Sequence, residues 1–229
     1  MGEKFLRAIT IVLFSIFAIS CCHKHNVGFL HYSSPKKVIA KDAVVFITVN
    51  TITLKKNSQS SGTGVAVKND GDKTLILTAG HICIDQIDPG LIIGEILVID
   101  IYGNAYHSEI QSISKNFDLC LLSIKKQMPT TSISKQSPKS GDKIGYSGYP
   151  TGLYMPGLLH HFDGYMAGVD PMGDHIYNTP VVGGSSGSPI YNEKGEIIGL
   201  VSAVMEDFNY MTIAVGTKNI RDFMAENGY

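Results

Sequence analysis

The sequence predicts an all-β protein, two antiparallel β-barrels in tandem followed by one short C-terminal helix. Three observations predict it. Short runs rich in Val, Ile, Thr and Tyr recur from residue 38 onward, with turn residues between them. These runs fall into two sets of similar length on either side of a polar linker, Ser137-Pro138-Lys139-Ser140-Gly141-Asp142. A convincing helical spacing of apolar residues occurs once, at the end of the chain. At 229 residues, 44% hydrophobic and 17% charged, the chain can bury one sizeable core or two smaller fused ones.

The first twenty residues stand apart from the fold. Lys4 and Arg7 precede an apolar run at residues 8–19 that ends in Ser20 and Cys21-Cys22, the pattern of an export signal. The run is short of the roughly 20 residues that span a bilayer. Ala18-Ile19-Ser20-Cys21 resembles a bacterial lipobox, with Ala18 where Leu is usual, which implies lipidation of Cys21 and attachment to a membrane through acyl chains worth about 0.8 kcal/mol per buried CH₂. Cys22 is then a free thiol or a second acylation site. Residues 21–37 are polar, irregular and basic and read as a tether. His23 and His25 beside the cysteines have metal-ligating chemistry, but histidines in a tether are ordinarily solvated, and no metal site or cofactor is expected.

The folded body is expected at residues 38–229. Barrel one, about 38–134, is built from AVVFITVN, GTGVAVKNDGD, KTLILTAGH, LIIGEILVIDIYGN, HSEIQSIS and DLCLLSIKK. Within it Asn69-Asp70-Gly71-Asp72 marks a hairpin, because Gly, Asn and Asp tolerate positive φ. Barrel two, about 138–216, is built from KIGYSGYP, LLHHFDGYMAGV, HIYNTPVV, SPIYNEKGEIIGLVSAVM and YMTIAVGT. The helix, about 217–227, is expected to be capped by Thr217 and to pack on barrel two through Ile220, Phe223 and Met224.

The formal net charge is -1 and no Lys/Arg block occurs, so neither a nucleic-acid footprint nor a polybasic membrane patch is expected. The segment richest in chemistry is Gly183-Gly184-Ser185-Ser186-Gly187-Ser188-Pro189. A glycine-rich turn lets a serine Oγ protrude while backbone N–H groups converge beside it. Two enzyme classes match it: Gly183-x-Ser185-x-Gly187 fits the nucleophile elbow of α/β-hydrolases, and Gly184-Ser185-Ser186-Gly187 fits the Gly-x-Ser-Gly pattern of trypsin-like peptidases. Chain order separates them. The hydrolase order places the histidine after the serine, and all eight histidines precede this loop. The order His, Asp, Ser is available in TAGH ending at His81, NFDLCLL around Asp118, and Ser186. His107 also precedes Asp118 but lacks the small-residue turn before it.

These three segments, with SGTGVAV before the first and IGYSGYPTGL early in barrel two, resemble the motifs of the trypsin-like serine peptidases, particularly the bacterial HtrA-like branch, over residues 40–220 or so. The resemblance implies two six-stranded antiparallel barrels of the chymotrypsin type and a serine endopeptidase acting on proteins or peptides. It implies His81 as general base, Asp118 as the group orienting it, Ser186 as nucleophile, and the N–H groups of Gly184 and Ser186 as oxyanion hole. It also implies a P1 pocket framed by Thr179 and Pro180, by Ser202, Ala203 and Val204, and by Ala214. None of these is acidic, so a small or medium apolar P1 residue is expected rather than Lys or Arg.

Departures from the family carry expectations of their own. Ser185 stands where animal relatives place the Asp that receives a newly cut N-terminus, so activation by that route is not expected. The chain ends at Tyr229 without room for the PDZ domain that HtrA-like proteins append. Cys83 and Cys120 each follow a proposed catalytic residue by two positions. They are either a disulfide, which an exported protein permits, or two buried thiols. The competing function is a non-catalytic binding module of the same fold on the cell envelope; a purely structural lipoprotein leaves the three motifs unexplained.

Overall fold

Why several of the strands read as nearly continuous apolar runs is clear from the cores they serve. In β1 (Val44–Thr53), Val45, Ile47 and Val49 face one cluster together with Ala66, Ile76, Val98, Leu122 and Ile124. Val44 and Phe46 join Leu75, Leu77, Leu119 and Leu121 in a second cluster. Successive side chains on a strand point to opposite faces, so a strand buried on both sides must be apolar at every position. Each fully buried aliphatic side chain contributes about 1.5–3 kcal/mol.

The computed structural model describes residues 39–53, 57–84, 91–114, 116–205 and 208–229. The signal, tether and Cys21 lipidation assignments lie outside these described residues. Barrel one closes in the order β1-β2-β3-β6-β5-β4, with β2 (Asn57–Asp70), β3 (Lys73–Thr78), β4 (Leu91–Ile99), β5 (Ala105–Ile113) and β6 (Cys120–Ile124). Barrel two closes as β10-β11-β12-β9-β8-β7, from β7 (Lys143–Gly148), β8 (His160–Val169), β9 (His175–Asn178), β10 (Pro189–Tyr191), β11 (Ile197–Met205) and β12 (Phe208–Gly216). Pairing is antiparallel throughout both barrels. This is the chymotrypsin-like fold that the resemblance implies. Closure gives every strand a partner on both sides over part of its length, which limits exposed sheet edge. The expected β2–β3 hairpin turns at Gly71, φ 61°, between the paired Asp70 and Lys73.

Barrel two has its own interior of Ile144, Tyr146, Met166, Tyr177, Val181, Ile198, Val201 and Ala214. The cluster holding Val44 and Phe46 lies between the barrels, because it also contains Tyr149, Ile197, Leu200 and Val215. Helix α1 (Gly80–Ile84) follows β3, and α2 (Thr217–Glu226) ends the chain. One detail of α2 corrects the expectation. Its N-cap is Gly216, and the Thr217 hydroxyl donates to the Ile198 carbonyl (2.6 Å) instead of capping. Ile220, Phe223 and Met224 are buried and the helix packs on β11 and β12 of barrel two, as expected, in a cluster that also reaches barrel one. The interior of barrel two is already filled, so the apolar surface left for the helix is the outer one carrying Leu200 and Val215. Among the described residues no helix is long and apolar enough to cross a membrane.

Candidate active site

Strand β3 delivers the backbone to Ala79, and α1 begins at Gly80. A Cβ at Gly80 would lie 2.9 Å from the Leu119 nitrogen and 3.0 Å from Asp118 Oδ1, so only glycine lets the Asp118 segment approach this closely. Asp118 then grips His81 at two points. The His81 backbone N–H donates to Oδ1 (2.7 Å), and His81 Nδ1 lies 2.8 Å from Oδ2. An ionised carboxylate only accepts hydrogen bonds, so the facing Nδ1 must carry a proton, and in the neutral ring Nε2 is left as the acceptor.

The Ser202 hydroxyl donates to the same Oδ2 (2.6 Å). Burial opposes ionisation of Asp118, but the hydrogen bonds from His81 and Ser202 and the attraction of His81 outweigh it and hold the carboxyl below the usual aspartate range. Ser202 reaches Asp118 because β11 bulges there: Val201 pairs with Ala214 and Ala203 with Ile213, which leaves Ser202 without a cross-strand partner and turns its side chain. Cys83 of α1 and Cys120 at the start of β6 are joined by a disulfide, so the helix carrying His81 is covalently tied to the strand that follows Asp118. Of the two alternatives for this cysteine pair, the structure has the bridge.

Ser186 lies in the loop before β10. Gly184 (φ 85°) and Gly187 (φ 80°) adopt left-handed conformations that glycine takes without strain. A Cβ at Gly187 would collide with the Thr63 carbonyl and the Thr78 hydroxyl and lie 3.0 Å from the Ala79 nitrogen. The loop therefore packs directly against the end of β3, two residues before His81. The Thr63 N–H donates to the Ser186 carbonyl (2.8 Å). The N–H groups of Ser185, Gly187 and Ser188 donate to Val182, Val201 and Ser185 carbonyls respectively. Among the described residues, no acceptor meets the N–H of Gly184 or of Ser186, and no hydrogen bond joins Ser186 Oγ to His81.

The residues assigned to the P1 pocket divide into two kinds. Pro180, Ala203 and Val204 are exposed. Thr179 is buried, and its carbonyl accepts the Thr212 hydroxyl (2.7 Å); Ala214 is fully buried inside barrel two. Ser202 spends its hydroxyl on Asp118. The resemblance places Ser202 in the P1 pocket rather than beside Asp118, and it assigns Thr63 no role. The only signal for Thr63 is its place in the SGTGVAV segment.

The family model of the trypsin-like peptidase domain matches residues 62–200, and the chain belongs to that family. Among solved structures it is similar to a serine endoprotease from Yersinia pestis, with a TM-score of 0.65 and 22% sequence identity, over 82% of this chain and 63% of that one. The chain thus spans less than two thirds of that protein, and at this identity the likeness is one of fold.

Proposed function

We propose that the protein is a serine endopeptidase that hydrolyses peptide bonds in proteins, with His81, Asp118 and Ser186 as its triad. The observation that carries this reading is the two-point grip of Asp118 on His81 beside a glycine-rich serine loop, in a chain of the trypsin-like peptidase family. In the proposed cycle, Ser186 Oγ attacks the scissile carbonyl while His81 Nε2 takes its proton. Asp118 keeps the ring in the required tautomer and stabilises the imidazolium without being protonated itself. The oxyanion accepts from the N–H groups of Gly184 and Ser186. His81 then returns the proton to the leaving amine, and an acyl-enzyme ester on Ser186 remains. Water, deprotonated by His81, releases the carboxylic product and restores the hydroxyl.

The apolar surface of Pro180, Ala203 and Val204 supports a small or medium apolar P1 residue. The charged-then-apolar pattern of residues 1–20 supports export to the cell envelope, and the lipobox-like Ala18-Ile19-Ser20-Cys21 supports a lipid anchor at Cys21.

The test is labelling of the folded protein with a fluorophosphonate probe, comparing wild type with Ser186→Ala and Ser185→Ala. Labelling is expected in wild type and Ser185→Ala, and hydrolysis of casein should drop about 10⁶-fold in Ser186→Ala. The second reading is a non-catalytic binding module of the same fold. A folded wild-type protein that neither labels nor cleaves would decide for it.

A further inference from the structure

We infer that Thr63, a barrel-one residue, is the positioning residue of the oxyanion hole; this rests on the serine-peptidase reading. Its side chain is fully buried, and its hydroxyl is engaged in both directions. Oγ1 donates to the Gly184 carbonyl (3.0 Å) and accepts from the Tyr149 N–H (3.1 Å). Its backbone N–H holds the Ser186 carbonyl (2.8 Å), and its own carbonyl accepts the Thr78 hydroxyl (2.8 Å). One residue of β2 thus touches the serine loop, the turn after β7 and the end of the strand that leads to His81.

The consequence for the hole follows from peptide geometry. A trans peptide is planar, so anchoring its C=O on one side aims its N–H to the other. The N–H of Gly184 belongs to the peptide whose carbonyl, Gly183 O, accepts from the Thr151 N–H (2.6 Å). The N–H of Ser186 belongs to the peptide whose carbonyl, Ser185 O, accepts from the Ser188 N–H (2.9 Å). The peptide between them is held by Thr63 through the Gly184 carbonyl. All three consecutive planes are therefore set, and the two N–H groups without an acceptor belong to the outer two.

Thr63 also governs the partner of the first plane. Its hydroxyl takes the Tyr149 N–H and so seats the turn that presents Thr151. Thr151 has φ 56°, the one positive value at a non-glycine among the described residues. Such a conformation persists where surrounding contacts enforce it. Here they include the bond to Gly183 and the close packing of Gly184 on this turn, where a Cβ at Gly184 would stand 2.6 Å from the Gly152 nitrogen and 2.7 Å from the Tyr149 carbonyl oxygen. Removing the hydroxyl would release the turn and the middle peptide together. The tetrahedral intermediate would lose aimed donors, while ground-state binding, made elsewhere, would remain.

The test compares wild type, Thr63→Val, Thr63→Ala and Thr63→Ser by casein hydrolysis and by thermal melting. Binding of intact casein is measured for each substitution in the Ser186→Ala background. Thr63→Val is expected to lower kcat about 10²-fold, the scale of a lost oxyanion donor. KM and casein affinity should stay within about twofold, and Thr63→Ser should recover most of kcat because it keeps the hydroxyl. Thr63→Ala stands in if the valine variant does not fold. The inference is overturned by unchanged kcat in the variants lacking the hydroxyl, by loss of casein affinity in step with kcat, by a Thr63→Ser enzyme as impaired as Thr63→Val, or by failure of both Thr63→Val and Thr63→Ala to fold. An inactive wild type would instead overturn the peptidase reading itself.

Discussion

Barrel one and barrel two hold their shares of the site by different means. In barrel one, His81 and Asp118 are fixed by side-chain chemistry: a carboxylate bonded to a ring and to a backbone N–H, with a disulfide two residues beyond each. In barrel two, Ser186 is fixed by backbone geometry. Its loop is a series of peptide planes whose carbonyls and N–H groups are anchored one by one, with glycines where the chain must be left-handed. The contrast teaches where each half is vulnerable. A side-chain clamp fails when a functional group changes, whereas a backbone clamp fails when a side chain is added where there was none.

Asp118→Asn tests the side-chain half most severely. The amide nearly preserves shape, but its NH₂ favours the opposite tautomer of His81, and kcat should fall about 10⁴-fold with KM little changed. A loss of tenfold or less would mean that position rather than charge is what Asp118 supplies. Next in size is the double substitution Cys83→Ala with Cys120→Ala. The bridge spans a sequence separation of 37, and loop-closure entropy assigns it about 4 kcal/mol, a thousandfold in the folding constant. Urea unfolding at neutral pH measures it, and equal midpoints with and without the bridge would show that hydrogen bonds alone join His81 to Asp118.

Gly184→Val probes the backbone half. Besides the overlap with the Tyr149–Gly152 turn, valine tolerates φ 85° poorly, so the peptide must rotate and kcat should fall about 10²- to 10³-fold. Full activity in this variant would mean that barrel two does not depend on its backbone to hold Ser186. The smallest effect is expected of Ser202→Ala, which removes one hydrogen bond to a charged group, about 1.5–3 kcal/mol.

Its signature is in the pH dependence. Because Asp118 titrates below the usual aspartate value in the folded state, its stabilisation is fully present above the unfolded-state value and is lost as pH falls through the lowered one. Ser202→Ala raises the folded value, so acid unfolding should begin at a higher pH than in wild type. A coincident acid limb in circular dichroism would remove Ser202 from the account of Asp118.

Much of this architecture was legible because its signals are local. The runs TLILT and LCLLSI are apolar at nearly every position because each serves two cores, and Gly71 marks a hairpin because the turn needs positive φ there. His81 and Asp118 could be paired from their motifs, and in the structure they lie 2.8 Å apart. Other residues gave no such notice. Thr217 has the chemistry of an N-cap, yet a buried carbonyl of Ile198 takes its hydroxyl. Ala214 sits near the pocket in chain order, yet its side chain faces the interior of barrel two.

By itself, then, the sequence determined the strands, the two sets they form, the family, and the order of His81, Asp118 and Ser186, since each is written in neighbouring residues. The folded chain alone shows that Ser202 serves Asp118 and that Thr63 reaches across from barrel one to the serine loop. Those contacts join residues 84 and 121 positions apart. They depend on a bulge and on a register, and neither of these is a property of a short stretch of chain.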